Sequence, residues 1–263
     1  MINISKFFYP KNDCNLIRLG NKNDGGYVVE ENSVRNSEIL LSFGLSDDWS
    51  FETDFSKLGK KKIYTYDYSV NLRFWIVNFI KSLINILLFK EPFSNIKKLL
   101  EFYNYKSFFD NKKNFNYKKF ISPLSMRKNI LNNNFIIDLN SIFKNLEKNI
   151  FLKIDIEGSE YRILDQIIDN SKKINGLAIE FHDFDLHQKV IEKFLSDLDL
   201  KLVHLHVNNY GTINDEGIPS TIELTFSSRE FISDNLNNDK IYPVVNLDKP
   251  CNKNEIDHKI IFN

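Results

Sequence analysis

The residues best equipped for chemistry stand in one run, Lys153-Ile154-Asp155-Ile156-Glu157-Gly158-Ser159-Glu160-Tyr161. A lysine sits in an apolar stretch, and three carboxylates then fall within six residues around a glycine. Glu160 opens a helical pattern, where the helix dipole alone favours a solvated acid. Asp155 and Glu157 precede that helix and are expected to face a crevice, where two uncompensated carboxylates repel. Such a pair suits a metal, a sugar hydroxyl or acid–base work. A second run, Ile179-Glu180-Phe181-His182-Asp183, places the best histidine of the chain between two acids. A neighbouring carboxylate raises a histidine toward the range of a general base; the competing reading is a structural or surface histidine. Asp155, Glu180 and His182 are therefore the catalytic candidates.

Two further positions suit a nucleoside-like ligand. Gly44-Leu45-Ser46-Asp47-Asp48 follows the apolar run Glu38–Phe43. A glycine after a strand lets a ligand approach the backbone, and the helix that follows offers free N–H groups. The loop lacks a full Gly-x-Gly-x-x-Gly and is not a P-loop. Asp67 ends Lys62–Tyr66, 23 residues beyond Gly44, a spacing at which an acid can accept both hydroxyls of a ribose. With no phosphate loop, an adenosine without phosphates fits at least as well as a dinucleotide.

Asp24-Gly25-Gly26-Tyr27-Val28-Val29 and Asn208-Asn209-Tyr210-Gly211 read as ligand loops, with hairpin turns as the alternative. His204 and His206 share a strand face; His206, nearer the loop, is favoured as functional and His204 as structural. Glu223 lies on the partner strand, and His187 reads as a surface residue. Tyr27, Glu157, His206 and Asn208 are the substrate-binding candidates.

The elements that must position these residues alternate. Strands are expected at Glu38–Phe43, Lys62–Tyr66, Phe120–Pro123, Asn134–Asp138, Ile150–Ile154 and Gly176–Phe181, then at Leu200–Val207 and Ser220–Phe226 as an antiparallel pair. Helical spacing marks Trp49–Leu58, Ser141–Glu147, Ser159–Asp169 and Leu186–Leu198. That order is a doubly wound α/β sheet, mostly parallel with antiparallel C-terminal edge strands. The aromatic, lysine-rich stretch 71–117 interrupts the alternation and reads as a helical insertion or cap in a single domain spanning 1–263.

Composition narrows the class. The chain has 263 residues and 42% hydrophobic residues, enough for one core. Lys+Arg 35 against Asp+Glu 35 counts against a nucleic-acid partner. Two distant cysteines, Cys14 and Cys251, make no disulfide framework and suit a cytoplasmic protein. No export signal is visible in the first ten residues. Phe74–Phe89 contains Asn78, Lys81 and Asn85 and is too short and polar to cross a bilayer comfortably. A packed amphipathic helix is the plain reading, and a helix lying on a membrane surface, a peripheral contact, is the sharper one.

The motif Lys153-x-Asp155-x-Glu157-Gly158-x-Glu160, preceded by Asp138-Leu139-Asn140-Ser141-Ile142-Phe143 and followed by Gly176–His182, resembles the FkbM family of S-adenosylmethionine-dependent O-methyltransferases. The resemblance covers roughly 38–226, and the first loop departs from the family's acidic-Gly-x-Gly form. It implies a Rossmann-like class I methyltransferase fold with S-adenosyl-L-methionine as co-substrate. Residues 44–48, with Gly44, Leu45 and Ser46, would hold its methionine end, Asp67 the ribose, and 122–125, with Ser122, would lie near the adenine; Tyr68 is a further cofactor-binding candidate. Asp155 would sit near the sulfonium. The expected reaction is methylation of a sugar hydroxyl, on a nucleotide-activated sugar of capsule or surface-polysaccharide assembly, with the 71–120 region holding the diphosphate. The base is His182 or Asp155, or a divalent cation on Asp155, Glu180 and Asp183 activates the hydroxyl instead. A lipid-linked or secondary-metabolite hydroxyl is the rival acceptor, and a non-catalytic binding module is the rival class. A homo-oligomer is left open.

Overall fold

In the computed structural model, residues 2–90, 92–110, 112–123, 135–233, 235–236 and 239–263 are described. Residues 124 and 125 of the expected adenine segment, and Asn134 of the expected strand, lie outside them. In chain order the elements begin with β1 (Ile2–Ile4), β2 (Leu16–Leu19), β3 (Tyr27–Glu30), α1 (Glu31–Asn36), β4 (Ile39–Phe43), α2 (Ser50–Lys57) and β5 (Lys62–Tyr66). Next come α3 (Leu72–Leu87), α4 (Pro92–Phe109), β6 (Asn114–Tyr117), β7 (Phe120–Ile121), β8 (Ile136–Ile137), α5 (Leu139–Phe143) and β9 (Ile150–Ile154). The chain continues through α6 (Leu164–Asp169), β10 (Ile174–Phe181), α7 (Phe184–Asp197), β11 (Lys201–Val207), β12 (Ile222–Ser227) and β13 (Ile260–Phe262).

The run of buried residues in β9 and β10 leaves neither face of these strands to water, as expected of central parallel strands. They sit inside a seven-stranded sheet of order β6-β5-β4-β9-β10-β12-β11. Ranked by chain position the order is 3-2-1-4-5-7-6, that of a Rossmann-like class I methyltransferase sheet. Only β12 runs antiparallel to its neighbours β10 and β11. It is wedged inside the edge strand β11 instead of forming the rim itself.

Alternation of side chains gives the sheet two cores. Leu41, Phe43, Leu152, Ile154 and Ile179 pack with Phe143, Ile167 and Phe194 from α5, α6 and α7. Leu40, Phe151 and Ala178 face the other way, onto Phe51 and Phe55 of α2 and onto Tyr27 and Val29. The β2–β3 hairpin that supplies Tyr27 is the hairpin alternative to a ligand loop at 24–29. It is antiparallel, and β3 docks on β12, where Thr225 Oγ1 donates to the Val28 carbonyl.

The stretch 71–117 is not wholly an insertion. Its last residues form β6, which pairs in parallel with β5, so α3 and α4 are the crossover between two sheet strands. Asn114–Tyr117 reads Asn-Phe-Asn-Tyr, too polar and short to announce a strand. The expected helix Ser159–Asp169 is split into a 3-10 turn at Glu160–Arg162 and α6.

Candidate functional site

In an open α/β sheet the crevice forms where successive crossovers leave on opposite sides. Here that point lies between β4 and β9, and their carboxyl ends carry Gly44 and Asp155. Gly44 has φ of +82°, and a Cβ there would stand 1.6 Å from the Asp155 carbonyl oxygen. Only glycine lets these two strand ends close up. Lys153, buried below them, donates from Nζ to the Gly44 carbonyl at 3.1 Å and lies over the Tyr27 ring. Burial opposes the charge of Lys153, but the carboxylates of Glu52 and Asp155 outweigh it and hold it above its ordinary value. Glu52 is itself fully buried, and burial lifts its carboxyl more than Lys153 lowers it. Neither Lys153 nor Glu52 was singled out as a site residue from the sequence. The lysine at least stood in the motif; Glu52 sat unremarked in an amphipathic helix.

Above this floor opens a cleft of about 840 Å³. The predicted residues Gly44, Leu45, Ser46, Asp67, Tyr68, Asp155, Glu157, Glu180, His182 and Asn208 all line it. Asp24, Asp47, Asp48 and Lys119 line it as well, so carboxylates far outnumber the two lysines, Lys119 and Lys153. Among the described residues of 71–117, none lines this cleft, so the lysines of α3 and α4 do not face it.

Asp67 is committed to the loop above it. Its Oδ2 accepts the backbone N–H groups of Leu45 and Ser46 at 2.8 Å each, and Oδ1 accepts from the backbone and hydroxyl of Ser69. Burial raises its carboxyl, but these hydrogen bonds prevail and hold it below the usual carboxylate value. Beside it, Tyr68 is 48% exposed and meets Phe135 edge to face, and Phe120 shares the rim. Aromatic faces of this kind offer a stacking surface for a flat base.

On the opposite side four charged groups converge. His182 Nδ1 lies 3.1 Å from Glu160 Oε1, while Nε2 lies 3.3 Å from Glu180 Oε1 and 3.4 Å from Glu157 Oε2. Burial disfavours the imidazolium, but Glu160 and Glu180 overcome burial and raise His182 far above an ordinary histidine. Burial lifts the Glu180 carboxyl too, reinforced by Asp155 and Glu223, although His182 pulls it down. Asn208 Nδ2 donates to both Glu180 oxygens at 3.3 Å.

This geometry corrects several expectations. His182 is bracketed by three carboxylates and carries its proton at neutral pH, so it cannot serve as a general base. Glu160 is no solvated acid: it is fully buried and its Oε1 also accepts the N–H groups of Ile156 and Gly158. Asp183 is exposed and away from the cleft lining, so the cation set Asp155, Glu180 and Asp183 does not assemble. Asp155, Glu157 and His182 do approach within 4.8 Å of one another, a donor set that could hold a cation in place of the His182 proton.

Three predicted contacts lie behind the cleft instead of in it. Tyr27 is buried and donates from its hydroxyl to Asp155 Oδ2 at 3.0 Å, which fixes the carboxylate from below. Ser122 is buried and absent from the lining. His206 is buried between Glu223 at 3.1 Å and Asp257 at 3.2 Å, with Cys251 against Glu223. The sequence could not show that the C-terminal segment folds back over β11 and seals that histidine away. His204, expected to be structural, is sealed likewise by Asp248 at 2.9 Å. His187 is only partly covered, stacked on Tyr161.

No protein-family model and no curated protein matches this sequence. Among solved structures the chain is similar to a fibrillarin pre-rRNA processing protein from Methanococcus jannaschii (12% identity, 74% of this chain and 68% of that one, TM-score 0.37). It is also similar to a precorrin-6y C5,15-methyltransferase from Geobacter metallireducens (12%, 75% and 85%, TM-score 0.34). A third is an rRNA methylase from Streptococcus thermophilus (10%, 75% and 93%, TM-score 0.36). Likenesses this distant carry no argument, and the fold assignment rests on the strand order. Among the described residues no helix is long and apolar enough to cross a membrane.

Proposed function

We propose that this chain is an S-adenosylmethionine-dependent O-methyltransferase acting on a sugar hydroxyl, in the assembly of a bacterial capsule or other surface polysaccharide. The observation that carries the reading is the acidic crevice at the β4–β9 switch point, where Gly44 and Asp155 meet. A positively charged sulfonium and its amino group fit a floor of carboxylates, whereas a polyanion does not. The cleft of about 840 Å³ and the rim formed by Tyr68 and Phe120 suit the rest of an adenosyl ligand. The Lys153–Glu160 run, with its resemblance to the FkbM family, supports the same assignment.

S-adenosylmethionine, when bound, supplies an electrophilic methyl group; the chain's own residues position and deprotonate the acceptor. Tyr27 orients Asp155, and Asn208 orients Glu180. Glu180 takes the hydroxyl proton, because burial raises its carboxyl, and His182, already protonated, stabilises the site without accepting one. Glu157, exposed at the mouth, contacts the sugar. Most of the rate enhancement in such an in-line displacement is positioning. A nucleotide-activated acceptor would have to rest its diphosphate on Lys119. A lipid-linked acceptor is the second reading, favoured by the exposed apolar surface of α3 and α4.

Calorimetric titration with S-adenosylhomocysteine tests the proposal. Micromolar binding is expected, weakened by roughly 1–3 kcal/mol in Tyr68→Ala through lost stacking. Absence of binding by folded wild-type protein would overturn it.

A further inference from the structure

The crossover hairpin α3–α4 is held to the rest of the molecule by a small cluster near its base. Trp75 and Tyr105 are buried there with Leu45 and Val70, and Trp49 packs against both rings. Beyond that anchor the pair is largely uncovered. On α3, Leu72, Ile76, Phe79, Ile80, Leu83 and Leu87 recur at helical spacing on one face, and all are exposed. On α4, Phe93, Ile96, Leu100 and Tyr103 form a matching exposed stripe. The turn between the helices is apolar as well: Leu88 is 58% and Phe89 88% exposed.

That turn is built, not frayed. Leu88, Phe89 and Lys90 donate their N–H groups back to Ile84, Ile86 and Asn85, and Asn95 Nδ2 donates to the Lys90 carbonyl. Phe89 holds the left-handed position that usually falls to glycine, with φ of +54°. A bulky ring is thus presented to the outside at a conformational cost. Contiguous apolar surface of this extent is rare on a soluble domain without a partner.

Charge selects the partner. Between residues 72 and 109 the sequence carries six basic side chains, from Arg73 to Lys106, against two acidic ones, Glu91 and Glu101. Lys81, Lys97 and Lys106 are exposed and flank the apolar stripes, where long stems can lie along apolar surface while their heads reach outward. A second copy packed by two-fold symmetry on this face would set two surfaces of the same net basic charge against each other. An anionic lipid surface is complementary to both features at once: apolar side chains enter the headgroup boundary and lysines meet phosphates. With 16 residues α3 is too short to span a bilayer, so the hairpin lies on or dips into one leaflet.

We propose that the exposed face of the α3–α4 hairpin, led by Leu88, Phe89 and Phe93, docks on an anionic phospholipid bilayer. The docking stands apart from the chemistry of the cleft, whose state S-adenosylhomocysteine calorimetry reads separately on the same samples.

The test is co-sedimentation of the full chain with phosphatidylcholine vesicles, with and without phosphatidylglycerol. Binding to the anionic vesicles is expected to exceed binding to neutral ones by at least about tenfold and to fall as salt is raised. The double variant F89D/F93D changes only exposed side chains; it should lose at least about tenfold of the binding while still folding. The pair K97E/K98E should weaken binding to anionic vesicles alone. No binding to anionic vesicles, or binding unchanged in F89D/F93D, overturns the proposal. So does a wild-type dimer that ignores vesicles and that F89D/F93D converts to monomer, because a second copy then covers the face.

Discussion

Glu160, fully buried, sets its Oε1 3.1 Å from His182 Nδ1 and accepts the backbone N–H groups of Ile156 and Gly158 on the same oxygen. One carboxylate therefore shapes the turn that follows β9 and fixes the charge of the histidine that follows β10. Glu157 takes its left-handed φ of +53° within that turn, so its side chain leans out over the cleft toward His182.

Removing the charge of Glu160 should release both. In Glu160→Gln the imidazolium loses its strongest support, so His182 should titrate closer to neutral pH. A group raised in the folded state stabilises fully at low pH and loses that contribution as pH rises through its folded value. Wild-type stability tied to His182 should accordingly persist well above neutral pH, while that of E160Q should fall off at lower pH than in the wild type. Breaking a buried pair of this kind costs about 3–5 kcal/mol. Histidine NMR titration together with thermal melts from acid to alkaline pH measures both effects. An unchanged His182 titration in E160Q would refute the assignment.

Gly44→Ala tests the contact of the two strand ends. The added Cβ would meet the Asp155 carbonyl, and the left-handed backbone adds about 1–2 kcal/mol of strain. Stability should drop by more than about 2 kcal/mol, and S-adenosylhomocysteine binding should vanish even where the protein remains folded. Denaturant titration and calorimetry on one preparation separate the two losses.

The parallel core of the sheet was legible because its strands are apolar runs that end at turn residues: Lys62–Tyr66 and Ile150–Ile154 are strands at the expected boundaries. The candidate residues that follow those strands, Asp67 and Asp155, line the cleft for the same reason, since the fold fixes where a strand end points. What the sequence concealed depends on contacts between distant segments. Asn114–Tyr117 gains its strand character only by pairing with β5. Tyr27 reaches Asp155 across 128 residues of chain. His206 looked available because its partner Asp257 lies in a polar tail with no periodicity to place it. Charge state was hidden most deeply: beside one or two acids His182 is a base, but the third, Glu160, holds its proton in place.

The C-terminal tail should make its own acid-sensitive contribution. Burial raises Asp248, but the His204 imidazole beside it prevails and holds the carboxyl below its usual value. A carboxyl lowered in the folded state stabilises above its unfolded value, and that stability is lost as pH falls through the folded one. Asp248→Asn should therefore destabilise the protein at neutral pH by about 3–5 kcal/mol and flatten the acid side of the stability curve below roughly pH 4. Melting temperatures of both proteins over the acid range check this. Parallel curves would mean that Asp248 does not anchor the tail through its charge.

Glu180→Gln separates proton transfer from binding. The amide keeps the size of the carboxylate and can still meet Asn208, but it cannot accept a proton. Methyl transfer, followed as release of S-adenosylhomocysteine with a panel of sugar acceptors, should fall by about 10²–10⁴-fold, with affinity for S-adenosylhomocysteine nearly unchanged. In the wild type the rate should rise with pH through the elevated Glu180 value, and E180Q should lack that limb. Stability moves the opposite way. A carboxyl raised by burial favours the folded state while protonated and loses that advantage as pH rises. E180Q, neutral at every pH, should thus hold its melting temperature at alkaline pH at least as well as the wild type while losing the reaction. A variant that loses stability and affinity together, with its pH limb intact, would assign Glu180 to the scaffold and return the proton to Asp155.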